Sequence, residues 1–101
     1  MDRRLSLHEL LSNKLGSQNV YFQPPENKKL IYDCIVYKID GLDQTYADNM
    51  MYTKQRRYIV MHMFRHVENE LIYNLTNIPY CRFIRRYVVD NLYHDIYEIY
   101  Y

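Results

Sequence analysis

Histidines and cysteines are the first residues in this chain whose side chains could do chemistry. His62 and His66 are four apart, but the surrounding residues predict the end of a strand, where that spacing does not share a helical face. His94 and Asp95 are adjacent, which on a strand points them to opposite faces. No group of His, Cys, Asp and Glu has zinc-ligand spacing. We therefore expect surface or capping histidines, and neither a metal nor a cofactor.

The two cysteines do not indicate nucleophilic catalysis. Cys34 lies in an apolar run, where a thiol behaves as a small hydrophobic side chain. Cys81 follows Pro79-Tyr80 and could be more exposed, but no evident base lies near it. Two isolated cysteines in a reducing compartment are most simply free thiols, and a Cys34–Cys81 disulfide is the less favoured alternative. The chain has only two glycines, which excludes phosphate-cradling loops and nucleophile elbows. The sequence predicts a protein that is not an enzyme.

Arginines form the remaining candidate set. They come from two predicted strands, 54–65 and 81–89, and comprise Arg56, Arg57, Arg65, Arg82, Arg85 and Arg86. If these strands are neighbours, the arginines form a patch mixed with tyrosine, as in proteins that bind single-stranded nucleic acid. The alternative is a solvated sheet edge, or salt bridges to Asp90, Asp95 and Glu98, which the net charge of +1 favours. Arginine and tyrosine also dominate protein–protein hot spots, so the same set suits a subunit interface.

Length and composition limit the architecture that positions these residues. The 101 residues predict a single domain, 1–101, and 49% hydrophobic and 25% charged residues are ordinary for a globular protein. Tyrosine, at 13 residues, exceeds what sheet packing needs, and subunit contacts would use the surplus. No apolar run approaches the roughly 18 residues of a membrane span, and the N-terminus lacks a signal peptide's apolar stretch. We expect a soluble protein made in the cytoplasm, with no membrane partner.

The first half of the chain predicts one helix and two strands. Ser6 to Glu9 matches a capping box, and leucines at helical spacing then predict a helix over 6–15 with Gly16 as its C-cap. Residues 20–23 form a short strand that Pro24-Pro25 ends. Residues 30–39 read as a longer strand, apolar on both sides and so expected to be central, with a turn at Asp40-Gly41.

Residues 42–53 lack clean periodicity and predict a loop. A loop of this length in a small domain is usually functional or mobile. Its Tyr46, Met50, Met51 and Tyr52 would be costly to leave in water. The loop therefore either folds back on the domain or packs against a neighbouring subunit.

The second half predicts three strands and one helix. Residues 54–65 alternate strongly as a strand, and 68–77 predict a short helix that Ile78-Pro79 ends. Strand 81–89 and a final strand, 93–101, are joined by a tight turn at Asp90-Asn91 and so form a hairpin. The order α-β-β-β-α-β-β predicts an α+β fold, a mostly antiparallel sheet with two helices packed on it.

Several runs, taken together and in order, make the chain resemble the small tail-terminator (tail-completion, head–tail joining) proteins of long-tailed bacteriophages. The runs are Leu7-His8-Glu9-Leu10-Leu11, residues 16–25, residues 31–37, Tyr46-Ala47-Asp48-Asn49, Arg57-Tyr58-Ile59-Val60, residues 79–83 and residues 90–95. The resemblance covers nearly the whole chain, and none of the runs is a catalytic fingerprint. That family often has an acidic Ile-Asp-Lys-Asp segment after its third strand, where this chain has Met63-Phe64-Arg65-His66.

The resemblance implies a virion protein of the tail or neck. Such a protein forms a homo-oligomeric ring, commonly a hexamer, on the last ring of the tail tube protein. The ring stops tube polymerisation and offers a surface to the head-completion or connector protein, with DNA passing through its channel in non-specific contact. The interface candidates are Tyr46, Met50, Met51, Tyr52, Arg56, Arg57, Arg82, Arg85 and Arg86. The alternatives are a small phage-encoded nucleic-acid-binding module that uses the arginine–tyrosine face, and an accessory adaptor that forms no ring.

Overall fold

The computed structural model describes residues 3–47, 50–66 and 71–101, with side chains for these residues apart from Arg3, 41–47 and 50–55. The elements are α1 (Arg3–Leu15), β1 (Val20–Phe22), β2 (Cys34–Ala47), β3 (Met50–Phe64), α2 (Leu71–Thr76), β4 (Cys81–Val89) and β5 (Leu92–Tyr100). This order confirms the predicted α+β class and the succession α-β-β-β-α-β-β.

The five strands form one sheet in the order β1-β2-β3-β5-β4. Only the β1–β2 pair is parallel, and β2–β3, β3–β5 and β5–β4 are antiparallel. The central strand is therefore β3, and the expectation that the strand beginning near residue 30 is central was wrong. Coverage on both faces does hold where β2 begins, because Cys34 and Ile35 are both buried.

Both helices pack on the same face of the sheet, which we call the helix face. Leu7 and Leu11 of α1 and Leu71 and Leu75 of α2 bury against one set of strand residues: Ile35, Tyr37, Tyr58, Val60, Tyr97 and Ile99. These strand residues alternate along β2, β3 and β5, and the cross-strand register places them on one side. On the other side, the open face, Ile59, Met61 and Ile96 are only half-buried.

Helix α1 begins three residues earlier than predicted. Ser6 lies inside the helix, so the capping-box assignment was wrong. The end of the helix matches the prediction, because Gly16 has φ +76° and its N–H donates to the Ser12 carbonyl at 2.8 Å. Glycine adopts this left-handed conformation without a Cβ penalty, which is why it ends the helix here.

The predicted loop over 42–53 was also wrong, since β2 and β3 continue through much of it as a hairpin. Residues 41–47 pair with 50–57, from Gly41 opposite Arg57 to Ala47 opposite Met50. Asp40-Gly41 is not a turn but a register shift inside β2, and β-bulges of this kind bend a strand without ending it. The predicted 68–77 helix is shorter in the described residues, at Leu71–Thr76, and its first three predicted residues lie outside them.

The β4–β5 hairpin agrees closely with its prediction. Asp90 and Asn91 have φ values of 54° and 62°, and positive φ at both central residues is the mark of a two-residue type I′ turn. The pairing Val89 with Leu92 follows directly from that turn. The register of the whole hairpin is thereby fixed, apart from one shift between Phe83 and Arg85.

Candidate functional site

The outer edge of β4 is the longest strand edge of the sheet body without a strand partner. Among the described residues β4 pairs only with β5. On its other edge the Cys81 N–H donates to the Ile78 carbonyl at 3.1 Å, so this edge is free of backbone partners only beyond Cys81. This edge carries large apolar side chains in water, with Val88 55% and Val89 49% exposed and Ile84 also exposed. An exposed, apolar edge strand is a template for pairing with another chain.

Exposed aromatic side chains lie on the same side of the molecule. Tyr80, which directly precedes β4, is 72% exposed, and Tyr73, on the neighbouring helix α2, is 70% exposed. In contrast, Tyr37, Tyr58 and Tyr97 are fully buried on the helix face. Among the described tyrosines, these three are core residues, whereas Tyr73 and Tyr80 are strongly exposed, and amphipathic rings of this kind suit a protein contact.

The opposite side of the sheet has a second free edge, on β2. Strand β1 covers β2 only at residues 35–37. The Gln23 side chain extends that cover by one step, because its Oε1 accepts from the Ile39 N–H at 3.2 Å. From Gly41 to Ala47, β2 pairs with β3 alone among the described residues.

These residues belong to a two-stranded arm that extends beyond the sheet body. We define the arm as residues 41–47 and 50–55. Strand β5 pairs with β3 only from Arg57 onward, and the last backbone hydrogen bond between this part of the chain and β3 is donated by the Tyr101 N–H to the Arg56 carbonyl, at 3.0 Å. The molecule is accordingly elongated, with extents of 51 × 26 × 23 Å. Because an isolated two-stranded hairpin is marginally stable in water, an arm of this kind gains most from contact with another surface.

The predicted interface candidates divide between the arm and the sheet. Four of them are on the arm, where the structure describes the backbone but not the side chains: Tyr46, Met50, Met51 and Tyr52. Tyr46 lies opposite Met51 in the hairpin. Arg56 is exposed at the base of the arm. The remaining candidates, Arg57, Arg82, Arg85 and Arg86, are on the sheet body.

The premise that the two arginine-bearing strands are neighbours was wrong, because β5 lies between β3 and β4. Salt bridges, the alternative interpretation, account for three of the arginines, and two of the three use acids that were predicted as partners, Glu98 and Asp95. Arg57 pairs with Asp40 at 2.8 Å and Arg82 with Glu98 at 3.3 Å. Arg85 instead lies over the Tyr87 ring, 5.2 Å from its centroid, and that ring stacks on His94 at 4.7 Å.

Arg86 belongs to a buried polar cluster on the helix face that sequence reasoning missed. Its Nε and Nη2 donate to the two carboxylate oxygens of Asp95 at 2.6 and 2.9 Å. Asp95 is 1% exposed and pairs across the sheet with His62, which is also 1% exposed. The hydrogen bond to Asp95 is the main reason that the pKa of Arg86 is raised. The bidentate pairing with Arg86 therefore compensates for the burial of this carboxylate.

His62 is the least satisfied member of this cluster, and the expectation of surface or capping histidines was wrong for it. In the described part of the chain, neither ring nitrogen has a hydrogen-bond partner. The ring stacks on Phe64 with centroids 4.5 Å apart. Burial lowers the pKa of His62 to about 4, against the attraction of Asp95 and Asp33. The ring is thus neutral near pH 7 and packs as an aromatic core residue.

A cleft of about 430 Å³ lies at the end of the sheet opposite the arm. It is lined by Tyr32 and Arg65 and by the β4–β5 turn with its flanking residues. The Arg65 guanidinium lies over the Tyr32 ring, 5.8 Å from its centroid, and the Arg65 N–H donates to Asp33 Oδ1 at 3.3 Å. The cleft offers a cation and an aromatic wall, and no nucleophile–base pair is formed by the residues that line it.

Both cysteines are free, as predicted. Cys34 pairs with Met63 on the open face, whereas Cys81 pairs with Ile99 on the helix face, so the sheet lies between the two thiols. Burial raises the pKa of each thiol to about 11. Because the thiolate is the reactive form, neither side chain is an activated nucleophile near neutral pH.

Among the described residues, no three or more His, Cys, Asp or Glu side chains are grouped so that they could hold a metal ion. No helix in the same residues is both long and apolar enough to cross a membrane. Comparison with family models, with curated proteins and with solved structures gives no match to this chain in any of the three. Membership of the tail-terminator family therefore stays a prediction from the sequence.

Proposed function

We propose that this protein is a structural component of a phage virion that assembles into a closed ring and acts as a tail terminator. In this role the ring, a hexamer, seats on the last ring of the tail tube, stops its growth and presents its other side to the head-completion protein. The protein carries out no reaction, and its working parts are surfaces.

The observation that carries the proposal is that the sheet has two unlike free edges on opposite sides. The edge of β4 is apolar and bears arginines, whereas the free edge of β2 lies on an extended arm. A ring of identical subunits needs two different surfaces per subunit, each complementary to the other, so that every copy binds one neighbour with each. A two-fold dimer would use a single self-complementary patch instead.

The exposed residues and the arm support the same conclusion. Five large side chains are exposed on the β4 side of the molecule: Tyr73, Tyr80, Ile84, Val88 and Val89. In the described residues the arm pairs with no strand of the sheet body beyond its base. Both features cost free energy in a monomer and become favourable when a neighbouring subunit covers them.

Tail-tube assembly in vitro tests the proposed role. Tube subunits from the same virus are polymerised with and without the purified protein, and tube lengths and ends are measured by negative-stain electron microscopy. The proposal predicts shorter tubes with a ring-shaped density at one end. Tubes of unchanged length with bare ends, at protein concentrations where rings form, would rule out tail termination.

The second candidate, a nucleic-acid-binding module, rests on the column formed by Arg85, Tyr87 and His94 on the open face. A cation next to stacked rings is the arrangement that single-strand binders use for bases and phosphates. Against it, Arg57, Arg82 and Arg86 are already paired with carboxylates. Fluorescence anisotropy with a labelled single-stranded oligonucleotide distinguishes the two functions, since this module predicts salt-sensitive binding by a monomer.

A further inference from the structure

The two free edges of the sheet are matched in length and opposite in charge. On β4 the free edge runs from Phe83 to Val89, and on β2 it runs from Gly41 to Ala47. Strand β4 has three arginines and no acidic residue. Residues 41–47 have one aspartate, Asp43, and no lysine, arginine or histidine. Complementary charges of this kind steer two surfaces together and fix which edge meets which.

Arg85 is the β4 arginine best placed for an external partner. Arg82 and Arg86 are paired with Glu98 and Asp95 inside the subunit. Arg85, in contrast, has no carboxylate within salt-bridge distance among the described residues, and its guanidinium lies over the Tyr87 ring. A carboxylate brought by another subunit would complete its contacts without breaking an existing ion pair.

Strand directions are also compatible with pairing between these edges. Strand β2 runs antiparallel to β3, β3 to β5, and β5 to β4, so β4 runs antiparallel to β2 of its own subunit. In a ring all copies are related by rotation, so the β4 edge of one copy meets the β2 edge of the next as an antiparallel pair. The arm extends beyond the level of β4, which requires a stagger along the strands, and tilted strands in closed sheets accommodate such a stagger.

Arginines and a bulge on an edge strand can also serve to prevent pairing. The irregularity between Phe83 and Arg85 has this capacity. The apolar side chains of this strand argue for a partner, because Ile84, at the irregularity itself, and Val88 and Val89 are exposed. A protected edge would present charged or short side chains at these positions.

We infer that the β4 edge of one subunit adds to the β2 edge of the arm in the next copy of the same chain, so that the ring is held together by a continuous intermolecular sheet. This inference rests on the proposed ring and names the surfaces that form it. The backbone hydrogen bonds of the added strand supply adhesion, and the contact between Arg85 of β4 and Asp43 of the arm supplies specificity.

A charge-exchange experiment tests this pairing. Arg85→Glu and Asp43→Arg are made as separate variants, with Lys29→Glu and Glu26→Arg as controls, because these two exposed residues lie in the segment before β2. Ring formation is followed by mass photometry across a concentration series. Each interface variant alone is expected to raise the protein concentration at which half of the chains are in rings by about tenfold or more, because like charges then face each other. The control variants are expected to leave this concentration unchanged.

The decisive sample is an equal mixture of the two interface variants. When the two variants alternate around the ring, the substituted β4 edge of one meets the substituted arm of the other, and the native β4 edge meets the native arm. Opposite charges then face each other at every interface, so rings are expected to return in the mixture. Rings in the wild type with no effect of either variant, or with loss of assembly but no rescue on mixing, would overturn the pairing and leave the ring itself intact. A wild type that forms no rings would overturn both.

Discussion

The Arg86 guanidinium holds the buried Asp95 carboxylate through two hydrogen bonds, of 2.6 and 2.9 Å, across the β4–β5 hairpin. It also lies over the rings of Phe64 and Tyr93, at 5.3 and 5.8 Å from their centroids. This single side chain therefore connects the edge strand to the two strands behind it. Its contribution to the free energy of unfolding can be measured separately from that of an ordinary surface ion pair.

Replacing Arg86 with methionine is expected to destabilise the monomer by about 2–4 kcal/mol, because the buried Asp95 side chain then loses its bidentate partner. The free energy of unfolding is measured by urea titration at low protein concentration. Arg82→Met is the matched control, since it removes the same type of side chain from a pair with Glu98 in which the arginine is 72% exposed. That variant should lose less than about 1 kcal/mol, and equal losses in the two would contradict the role of burial.

The neutral, buried His62 predicts a stability that falls with acid. Its pKa of about 4 in the folded protein is below the ordinary value of 6.5, so the unfolded chain binds the proton first as the pH falls. The stabilising contribution of neutral His62 to the free energy of unfolding is complete above about pH 6.5. It is lost progressively as the pH falls to about 4, and the loss is at most about 3 kcal/mol.

Comparison with His62→Leu isolates this effect. The pKa of His8 is also lowered by burial, but its contribution is common to both proteins and cancels in the difference. Unfolding free energies measured from pH 7.5 to 4.5 should show a shallower decline in the leucine variant. Parallel curves for the two proteins would show that His62 takes up its proton as readily in the folded protein as in the unfolded chain.

The turn between β4 and β5 predicts opposite effects of two substitutions at Asn91, whose φ is 62°. Asn91→Gly should leave thermal stability unchanged or raise it slightly, because glycine adopts this conformation freely. Asn91→Val should cost about 1–2 kcal/mol, because a β-branched side chain is strained there. Thermal unfolding followed by circular dichroism distinguishes the two, and equal losses would indicate that the asparagine side chain itself is required.

Acidic substitutions on the arm should weaken assembly more than folding. Met51→Asp or Tyr52→Asp is expected to raise the concentration at which rings form, because each places a charge in the proposed subunit contact. The melting temperature of the dilute monomer should change by only a few degrees, since the arm has no strand partner beyond its own hairpin in the described residues. An equal loss of monomer stability would place these residues in the fold and not in the interface.

The sequence predicted local structure better than long-range pairing. The order of elements and the β4–β5 hairpin follow from alternation and a two-residue turn, which are local features. The position of β5 between β3 and β4 depends on contacts distant in sequence, and no short pattern encodes it. Residues 42–53 lack clean alternation, so the continuation of β2 and β3 as a hairpin could not be predicted from a period of two.

Part of the buried cluster of Arg86, Asp95 and His62 could have been predicted from the same local sequence patterns. His62 alternates with Tyr58, Val60 and Phe64, so it occupies a core position of β3. Counting back from the Asp90-Asn91 turn places Arg86 directly opposite Asp95. What could not be predicted is that β5 carries Asp95 next to His62, because that contact needs the β3–β5 register.

The mass of the assembled protein tests the central claim most directly. Native mass spectrometry or mass photometry of the wild-type chain, combined with class averages from negative-stain electron microscopy, measures subunit number and closure. The proposed function predicts a closed ring of six 12.5 kDa subunits that dissociates to monomers on dilution. A monomer at every concentration, or a two-fold dimer with both β4 edges joined, would contradict it.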